Sequence, residues 1–109
     1  MAFTNVTLTG TFETADGDDA SGWVRFTPTT AMSNGTVIVA AAPVLAFLSG
    51  GGISVVLVAT DDSGTTTTFG DDPLYLVEEL LLGQRPRSYR IALTHTDTTQ
   101  DLADITPEA

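Results

Sequence analysis

Three of the chain's four cationic side chains lie close together. The chain has no lysine, and Arg85, Arg87 and Arg90 fall within six residues of a 109-residue sequence whose formal net charge is -10. Arginine recognises planar carboxylates and phosphates through pairs of parallel hydrogen bonds. The cluster is therefore either a small anion-binding site or the polar end of a hairpin whose arginines pair with nearby carboxylates. Too few cations surround it for a nucleic-acid footprint.

Two adjacent carboxylates, Glu78 and Glu79, precede this cluster. Neighbouring residues on a strand point to opposite faces, so these two cannot act on one substrate as a catalytic pair. A hairpin with a four-residue loop at residues 83–86 sets Glu79 directly opposite Arg90, whereas a five-residue loop sets Arg90 diagonal to Glu78. We predict a structural ion pair between Glu79 and Arg90. The sequence leaves open which of the two glutamates is buried.

Arg85 and Arg87 flank Pro86 at the predicted turn. The favoured interpretation is a solvated or locally paired hairpin tip, because exposed arginines at a turn usually pair weakly with their neighbours. The alternative is a contact with an acidic patch on another protein, including another copy of this chain. Both arginines are therefore candidate interface residues.

Other residue types that carry chemistry give weak signals. Asp16, Asp18 and Asp19 resemble the start of a calcium loop, but the EF-hand order and its distal bidentate glutamate are missing. His95 is the only histidine, and no nucleophile-elbow, zinc-peptidase or phosphate-loop motif occurs. Without lysine there is no Schiff-base chemistry. We expect no metal, no cofactor and no enzymatic activity.

The composition indicates one folded domain. Hydrophobic residues make up 42% of the chain and charged residues 17%, which lies outside the range of disordered chains. Cysteine is absent, so no disulfide or thiolate metal site supports the fold. The acidic balance argues against binding to nucleic acid or to anionic membranes. We expect no signal peptide and a protein made in the cytoplasm, because the first residues show no signal-peptide pattern.

Alternation of apolar and polar residues predicts an all-β fold. Val24 and Phe26 share one face of a strand whose other face carries Trp23 and Arg25. Further strands are predicted at residues 3–14, at 36–43 with both faces covered, at 43–48, at 53–60 as the central strand, and at 74–82. Residues 61–73 are predicted to form the longest and most mobile loop.

We therefore predict a single-domain, antiparallel, immunoglobulin-like β-sandwich of about seven strands over residues 1–94. A polar C-terminal extension, residues 95–109, follows it. Leu102 and Ile105 are the candidate anchors of this extension onto the body or onto a neighbouring molecule.

Several segments, taken in order, resemble a known family. The segments are LTGTFETADGDDASGWVRFTPT at 8–29, ISVVLVATDD at 53–62, YLVEELLLGQRPRSYRIALTH at 75–95 and DLADITPE at 101–108. Their order resembles a small domain found in virion proteins of tailed phages that infect actinobacteria, in minor tail proteins and related structural components. The resemblance implies a fold and carries no active-site residues.

Two departures from the family pattern point to a binding surface. The segment PVLAFLSGGG, residues 43–52, is more apolar than the polar turn expected there, and Trp23 stands where a small polar residue is more usual. Both changes suggest surface that this protein buries against a partner. The candidate interface residues are Trp23, Leu45, Phe47, Arg85, Arg87, Leu102 and Ile105.

The function expected from the resemblance is that of a non-enzymatic virion structural protein. The leading expectation is a capsid decoration protein, present in many copies or as a homo-oligomer, that binds the major capsid protein or other virion proteins. It would be made in the host cytoplasm and reside in the virion, without nucleic-acid or membrane partners. The alternatives are a tail component, minor or tail-tube-associated, and a carbohydrate or cell-surface binding module using Trp23, Tyr75 and Tyr89.

Overall fold

The structure, a computed structural model, describes residues 3–67, 70 and 72–108. Within this part the chain forms ten strands and one short 3₁₀ helix. They are β1 (Asn5–Thr11), β2 (Gly22–Pro28), β3 (Met32–Ser33), β4 (Ile38–Val39), β5 (Val44–Phe47), β6 (Gly52–Val58), β7 (Thr66–Thr67), β8 (Tyr75–Leu81), β9 (Arg87–Ile91), β10 (Thr99–Asp101) and the helix Leu102–Asp104. None of the described residues belongs to a helix long and apolar enough to cross a membrane.

Two sheets build the body of the molecule. A four-stranded antiparallel sheet has the order β5-β2-β8-β9, and a three-stranded sheet has the order β10-β1-β6. In the second sheet β1 pairs antiparallel with β6 and parallel with β10. A third, small sheet joins β4, β3 and β7. The strands β1 and β2 are consecutive in the chain but lie in different sheets.

The inner faces of the two large sheets share one apolar core. The alternation predicted from the sequence places every second residue of the long strands inside this core. Its largest fully buried members are Tyr75, Phe26, Leu8, Ile91, Leu93, Val6, Val24 and Val77. Burial raises the pKa of Tyr75 to about 12, and its hydroxyl donates to the Val58 carbonyl at 2.8 Å. The predicted all-β, sandwich-like single domain is confirmed.

Two strand predictions need correction. Residues 53–60 were expected to be central, but β6 lies at an edge of the three-stranded sheet and β1 is its central strand. Residues 36–43 were expected to be covered on both faces, but only Ile38 and Val39 form a strand, and Ile38 is exposed. An apolar run without alternation does not identify its neighbours, so it resembles a buried strand even where nothing covers it.

The polar segment 61–73 is only partly a loop. Thr66 and Thr67 form β7, which pairs antiparallel with β3. The predicted mobile loop therefore contributes a strand to the small sheet. Residues 68, 69 and 71 of this segment lie outside the described part of the chain.

The C-terminal segment folds back onto the body. β10 adds to the three-stranded sheet beside β1, and Leu102 is buried in the common core with Ile105 packed against it. Farther along, the Glu108 amide donates to the Arg90 carbonyl at 2.7 Å. Leu102 is thus an anchor onto the chain's own body, and its side chain is not free to serve as the predicted interface residue.

Candidate protein interface

The hydrogen bonds of β2 determine which backbone groups of β5 are free. In an antiparallel pair, residues alternate between exchanging hydrogen bonds with the partner strand and directing their groups away from it. The Leu48 amide donates to the Gly22 carbonyl at 3.0 Å, and the same register continues through Ala46 opposite Val24. By this alternation, the amides and carbonyls of Leu45 and Phe47 point away from β2. They lie at the uncovered edge of the four-stranded sheet.

The side chains of the same two residues lie on the outer face of that sheet. Phe47 is opposite Trp23, with the ring centroids 6.2 Å apart and the planes tilted by 53°. Leu80 lies on the far side of Trp23, so one apolar row crosses three strands. Phe47 is 68% exposed and Leu45 is 49% exposed. The structure therefore brings together three predicted interface residues, Trp23, Leu45 and Phe47.

A closed ion pair lies beside this apolar row. Arg25 donates to Glu78 through Nε and Nη2, each at 2.8 Å from a carboxylate oxygen. The hydrogen bonds from Arg25 hold the pKa of Glu78 below its usual range, although burial opposes this shift. The reciprocal bonds raise the pKa of Arg25. Because the two charges neutralise each other, the row formed by Leu45, Arg25 and Glu78 presents no net charge.

The surrounding part of the sequence carries no charge at all. Residues 26–60 contain no Asp, Glu, Lys, Arg or His, although the whole chain has net charge -10. Six of the seven large apolar side chains that are exposed in the described part of the chain belong to this segment. They are Val37, Ile38, Val44, Leu45, Phe47 and Val56. Of these, Leu45 and Phe47 share the outer face of β5, and exposed apolar side chains that lie together mark a binding site more often than scattered ones do.

The carboxylate at Glu79 has a structural role and a different partner from the predicted one. Glu79 is 6% exposed and accepts from Arg87 Nε at 3.0 Å and Nη2 at 2.7 Å. The Tyr89 hydroxyl donates to it at 2.6 Å. Glu79 is thus the buried glutamate of the pair, and all three of these donors satisfy its oxygens.

The predicted ion pair between Glu79 and Arg90 is wrong because the hairpin register differs. Glu79 lies opposite Arg87, and Arg90 lies opposite Leu76 on the other face. The last paired residues are therefore separated by residues 80–86, rather than by the four residues assumed from the turn.

The polar contacts of the Glu79 cluster are made largely within the cluster. The Arg87 guanidinium lies 4.8 Å from the centre of the Tyr89 ring, and both groups already bind Glu79. Burial, followed by the hydrogen bond to Glu79, raises the pKa of Tyr89 far above its usual range. A cavity of about 200 Å³ beside these groups is closed on one side by Leu102. The arrangement fastens β9 to β8 and supports the sheet from within.

The remaining predicted interface residues lie away from β5. Arg85 is exposed in the connection between β8 and β9, and no side-chain partner for it occurs among the described residues. Ile105 is half-buried against the core. The sequence analysis did not identify Leu82, which is 64% exposed at the end of β8, or Val44 on β5. The signal that marks Val44 is the lack of charge through residues 26–60.

A second surface feature lies at the opposite side of the same outer face. A groove of about 740 Å³ runs along β9 and is lined in part by Thr27, Leu76, Arg90 and Glu108. Its lining mixes hydroxyl, charged and apolar groups. The C-terminal segment forms one wall, so this groove belongs to the covered edge of the sheet.

The acidic clusters do not converge on a metal site in the described part of the chain. No three His, Asp or Glu side chains there are placed to share a metal ion. Asp16 accepts a hydrogen bond from the Thr14 hydroxyl within its own turn. Asp61 accepts from the His95 amide at 2.7 Å and lies 3.0 Å from His95 Nδ1.

Free backbone groups, exposed apolar side chains and missing charge thus coincide at β5 and the adjoining outer face of the four-stranded sheet. No protein-family model, no curated protein and no solved structure gave a significant match to this chain.

Proposed function

We propose that this chain is a non-enzymatic structural protein of a phage virion, and foremost a capsid decoration protein. It would bind the major capsid protein or another virion protein in many copies. The binding surface would be the outer face of the four-stranded sheet around Trp23, Leu45 and Phe47. The sequence resemblance to virion domains supports the class of protein, and the apolar surface at β5 supports binding as its mode of action.

The observation that carries this proposal is the exposed aromatic pair of Trp23 and Phe47. Its tilted arrangement and its place between Leu45 and Leu80 resemble the rigid aromatic anchors that dominate protein interfaces. Burying the exposed part of Phe47 contributes about 1–2 kcal/mol before the cost of association is counted. One such contact is weak, and we expect binding to depend on repetition over a particle surface.

The charge distribution suits a protein that binds by one side. Net negative charge favours solubility and opposes nonspecific contact with nucleic acid. The uncharged segment at residues 26–60 is the part of the chain that approaches another acidic surface without repulsion. The paired charges of Arg25 and Glu78 allow this face to be buried without an unpaired ion.

Cosedimentation tests the proposal directly. Purified chain would be mixed separately with heads and with tails that lack it, and the pelleted chain would be counted. Saturation of heads at a number that matches the symmetry sites of the capsid is the expected result. Saturation of tails alone would replace the decoration role with a tail role, and binding to neither would contradict the virion proposal.

A matched pair of variants locates the surface in the same assay. Leu45→Ser and Val56→Ser each remove an exposed apolar side chain from an edge strand of the uncharged segment, with original exposures of 49% and 58%. We expect Leu45→Ser to weaken particle binding by roughly tenfold, which corresponds to about 1.4 kcal/mol. Val56→Ser should bind like the wild type. Equal weakening by both variants would mean that binding does not depend on the β5 face.

A further inference from the structure

We propose that the uncovered edge of β5 pairs with β5 of a second copy of this chain, so that two four-stranded sheets join into one continuous sheet. This inference names a partner at the face described above. Only its consequence for particle binding rests on the proposed function, because the pairing itself requires nothing but the chain.

The free backbone groups of β5 are limited to a short window. Pro43 has no amide, and the Ser49 amide already donates to the Gly52 carbonyl at 2.9 Å. Leu45 and Phe47 lie between them, and their amides and carbonyls point away from β2. The edge therefore offers two residues, spaced by one, that can each exchange hydrogen bonds with an added strand.

This window is complementary to itself. If a two-fold axis passes beside Ala46, Leu45 of one copy lies opposite Phe47 of the second copy, and the reverse pair forms on the other side of the axis. Both residues of each pair have free groups, so each pair exchanges both of its backbone hydrogen bonds. Ala46 points into the core, and its small side chain lies at the axis.

The edge also lacks the features that normally prevent such pairing. Natural edge strands are protected by charged side chains, by a proline within the strand, by bulges or by a covering segment. No charged residue occurs in β5, and its nearest proline, Pro43, lies just before it. No described segment is hydrogen-bonded to its free side. The edge is therefore open to an incoming strand.

Charge favours a second copy over a charged partner. β5 lies within the uncharged segment 26–60, and the one charged residue of its neighbour β2, Arg25, is paired with Glu78, so two chains of net charge -10 pair through β5 without like charges on the paired strands. An acidic or a basic peptide would find no complementary charge at this edge, because Arg25 is already paired with Glu78.

Pairing in the plane of the sheet leaves the outer face available. Side chains stand perpendicular to the sheet, so Leu45 of one copy would lie beside Phe47 of the other. Each such pair would be flanked by Trp23 on its Phe47 side and by Arg25 on its Leu45 side. The two outer faces would merge into one apolar surface with a two-fold axis. Within the proposed function, a dimer would present both copies of this surface to the particle together.

The size of the contact sets its strength. One short strand edge with two exposed side chains offers less than the roughly 800 Å² per partner of a stable interface. We therefore expect a reversible dimer with a dissociation constant on the order of micromolar to millimolar. Such a dimer forms at high local concentration, as on an occupied surface.

The test compares two substitutions at one position by sedimentation velocity over a concentration series. Leu45→Pro removes the edge amide, whereas Leu45→Thr removes the large side chain and keeps the amide. Proline is tolerated here because the Leu45 amide faces away from β2. We expect the wild type to approach twice the monomer mass, Leu45→Thr to associate within about tenfold of it, and Leu45→Pro to remain monomeric. Circular dichroism and thermal melting would establish that both variants fold.

Hydrogen exchange on the wild type removes the dependence on folded variants. The Leu45 and Phe47 amides should become protected as concentration rises, while the Ala46 amide should be protected at every concentration by β2. A wild type that stays monomeric throughout, or equal association of the proline and threonine variants, would overturn the pairing. Dimerisation without particle binding would instead contradict the proposed function, and particle binding by a strictly monomeric wild type would contradict only this inference.

Discussion

The two edges of the four-stranded sheet differ in almost every respect. At one edge β5 is uncharged, short and apolar on its outer face, with the backbone groups of Leu45 and Phe47 free. At the other edge β9 carries Arg87 and Arg90, and the Glu108 amide binds the Arg90 carbonyl. Both strands lie at edges of the same sheet, so the difference lies in which groups cover each edge.

This contrast indicates that the β9 edge is protected against pairing with another strand. β9 is held from below by the bonds of Glu79 to Arg87 and Tyr89 and is covered by the C-terminal segment. Native proteins protect sheet edges in these ways to prevent unwanted pairing. β5 has none of this protection, which is the expected state of an edge that binds another protein.

The largest expected effect comes from truncating Leu102, which anchors the C-terminal segment that covers β9. Leu102→Ala deletes a buried side chain from the common core and should lower the free energy of unfolding by about 2–4 kcal/mol. Urea denaturation measures this loss. Leu82→Ala is the matched control, because the same residue type is exposed there and its removal should cost less than about 0.5 kcal/mol. Equal costs would mean that the C-terminal segment does not depend on Leu102.

A smaller effect is expected from the bonds beneath β9. Glu79→Ala leaves the Tyr89 hydroxyl without its acceptor and should lower the free energy of unfolding by about 1–3 kcal/mol. Arg87 is exposed enough to be rehydrated, so its share of this loss is small. Glu78→Ala breaks the solvent-accessible pair with Arg25 and should cost less. A larger loss for Glu78→Ala than for Glu79→Ala would reverse the assignment of the structural glutamate.

The smallest effect concerns His95, at the start of the C-terminal segment. The hydrogen bond to Asp61 raises the pKa of His95, so its stabilising effect is complete below the ordinary histidine pKa of about 6.5 and is lost as pH rises through the raised value. Burial opposes the change at Asp61, but the bonds from His95 lower the pKa of that carboxyl. Its contribution is therefore present above the ordinary aspartate pKa and is lost as pH falls through the lowered one.

The pair should stabilise the fold most between those two ordinary pKa values. Urea denaturation of the wild type and of His95→Asn at about pH 5 and about pH 8 measures the difference. We expect a small advantage of the wild type at the lower pH that shrinks at the higher pH. An advantage that grows with pH would contradict the proposed pairing of His95 with Asp61.

Sequence alternation was sufficient for the long strands and insufficient for their neighbours. The separation of Val24 and Phe26 from Trp23 and Arg25 follows from period two alone, and the structure confirms it. The partner of Glu79 depends on where the ladder ends. The ladder between β8 and β9 ends with Glu79 opposite Arg87, which the assumed four-residue turn did not predict.

The residues of the candidate interface were also partly predictable from the sequence. Trp23, Leu45 and Phe47 were identified as departures from a family pattern, and the register places them side by side. That Leu45 and Phe47 also carry the free backbone groups depends on the hydrogen-bond phase between β2 and β5, which side-chain patterns do not encode. The sequence left open whether Leu102 anchors onto the body or onto a neighbouring molecule, and long-range packing against β1 buries it.

We propose that the outer face of the four-stranded sheet at β5, and not at β9, binds other virion proteins. The most direct test compares the cosedimentation of Phe47→Ser and Arg90→Ser with particles that lack the chain, after melting curves have established that both variants fold. Each substitution places serine at an exposed outer-face position, one on each edge strand. We predict that Phe47→Ser loses at least about tenfold in affinity and that Arg90→Ser binds like the wild type. Loss of binding by Arg90→Ser with full binding by Phe47→Ser would contradict the claim.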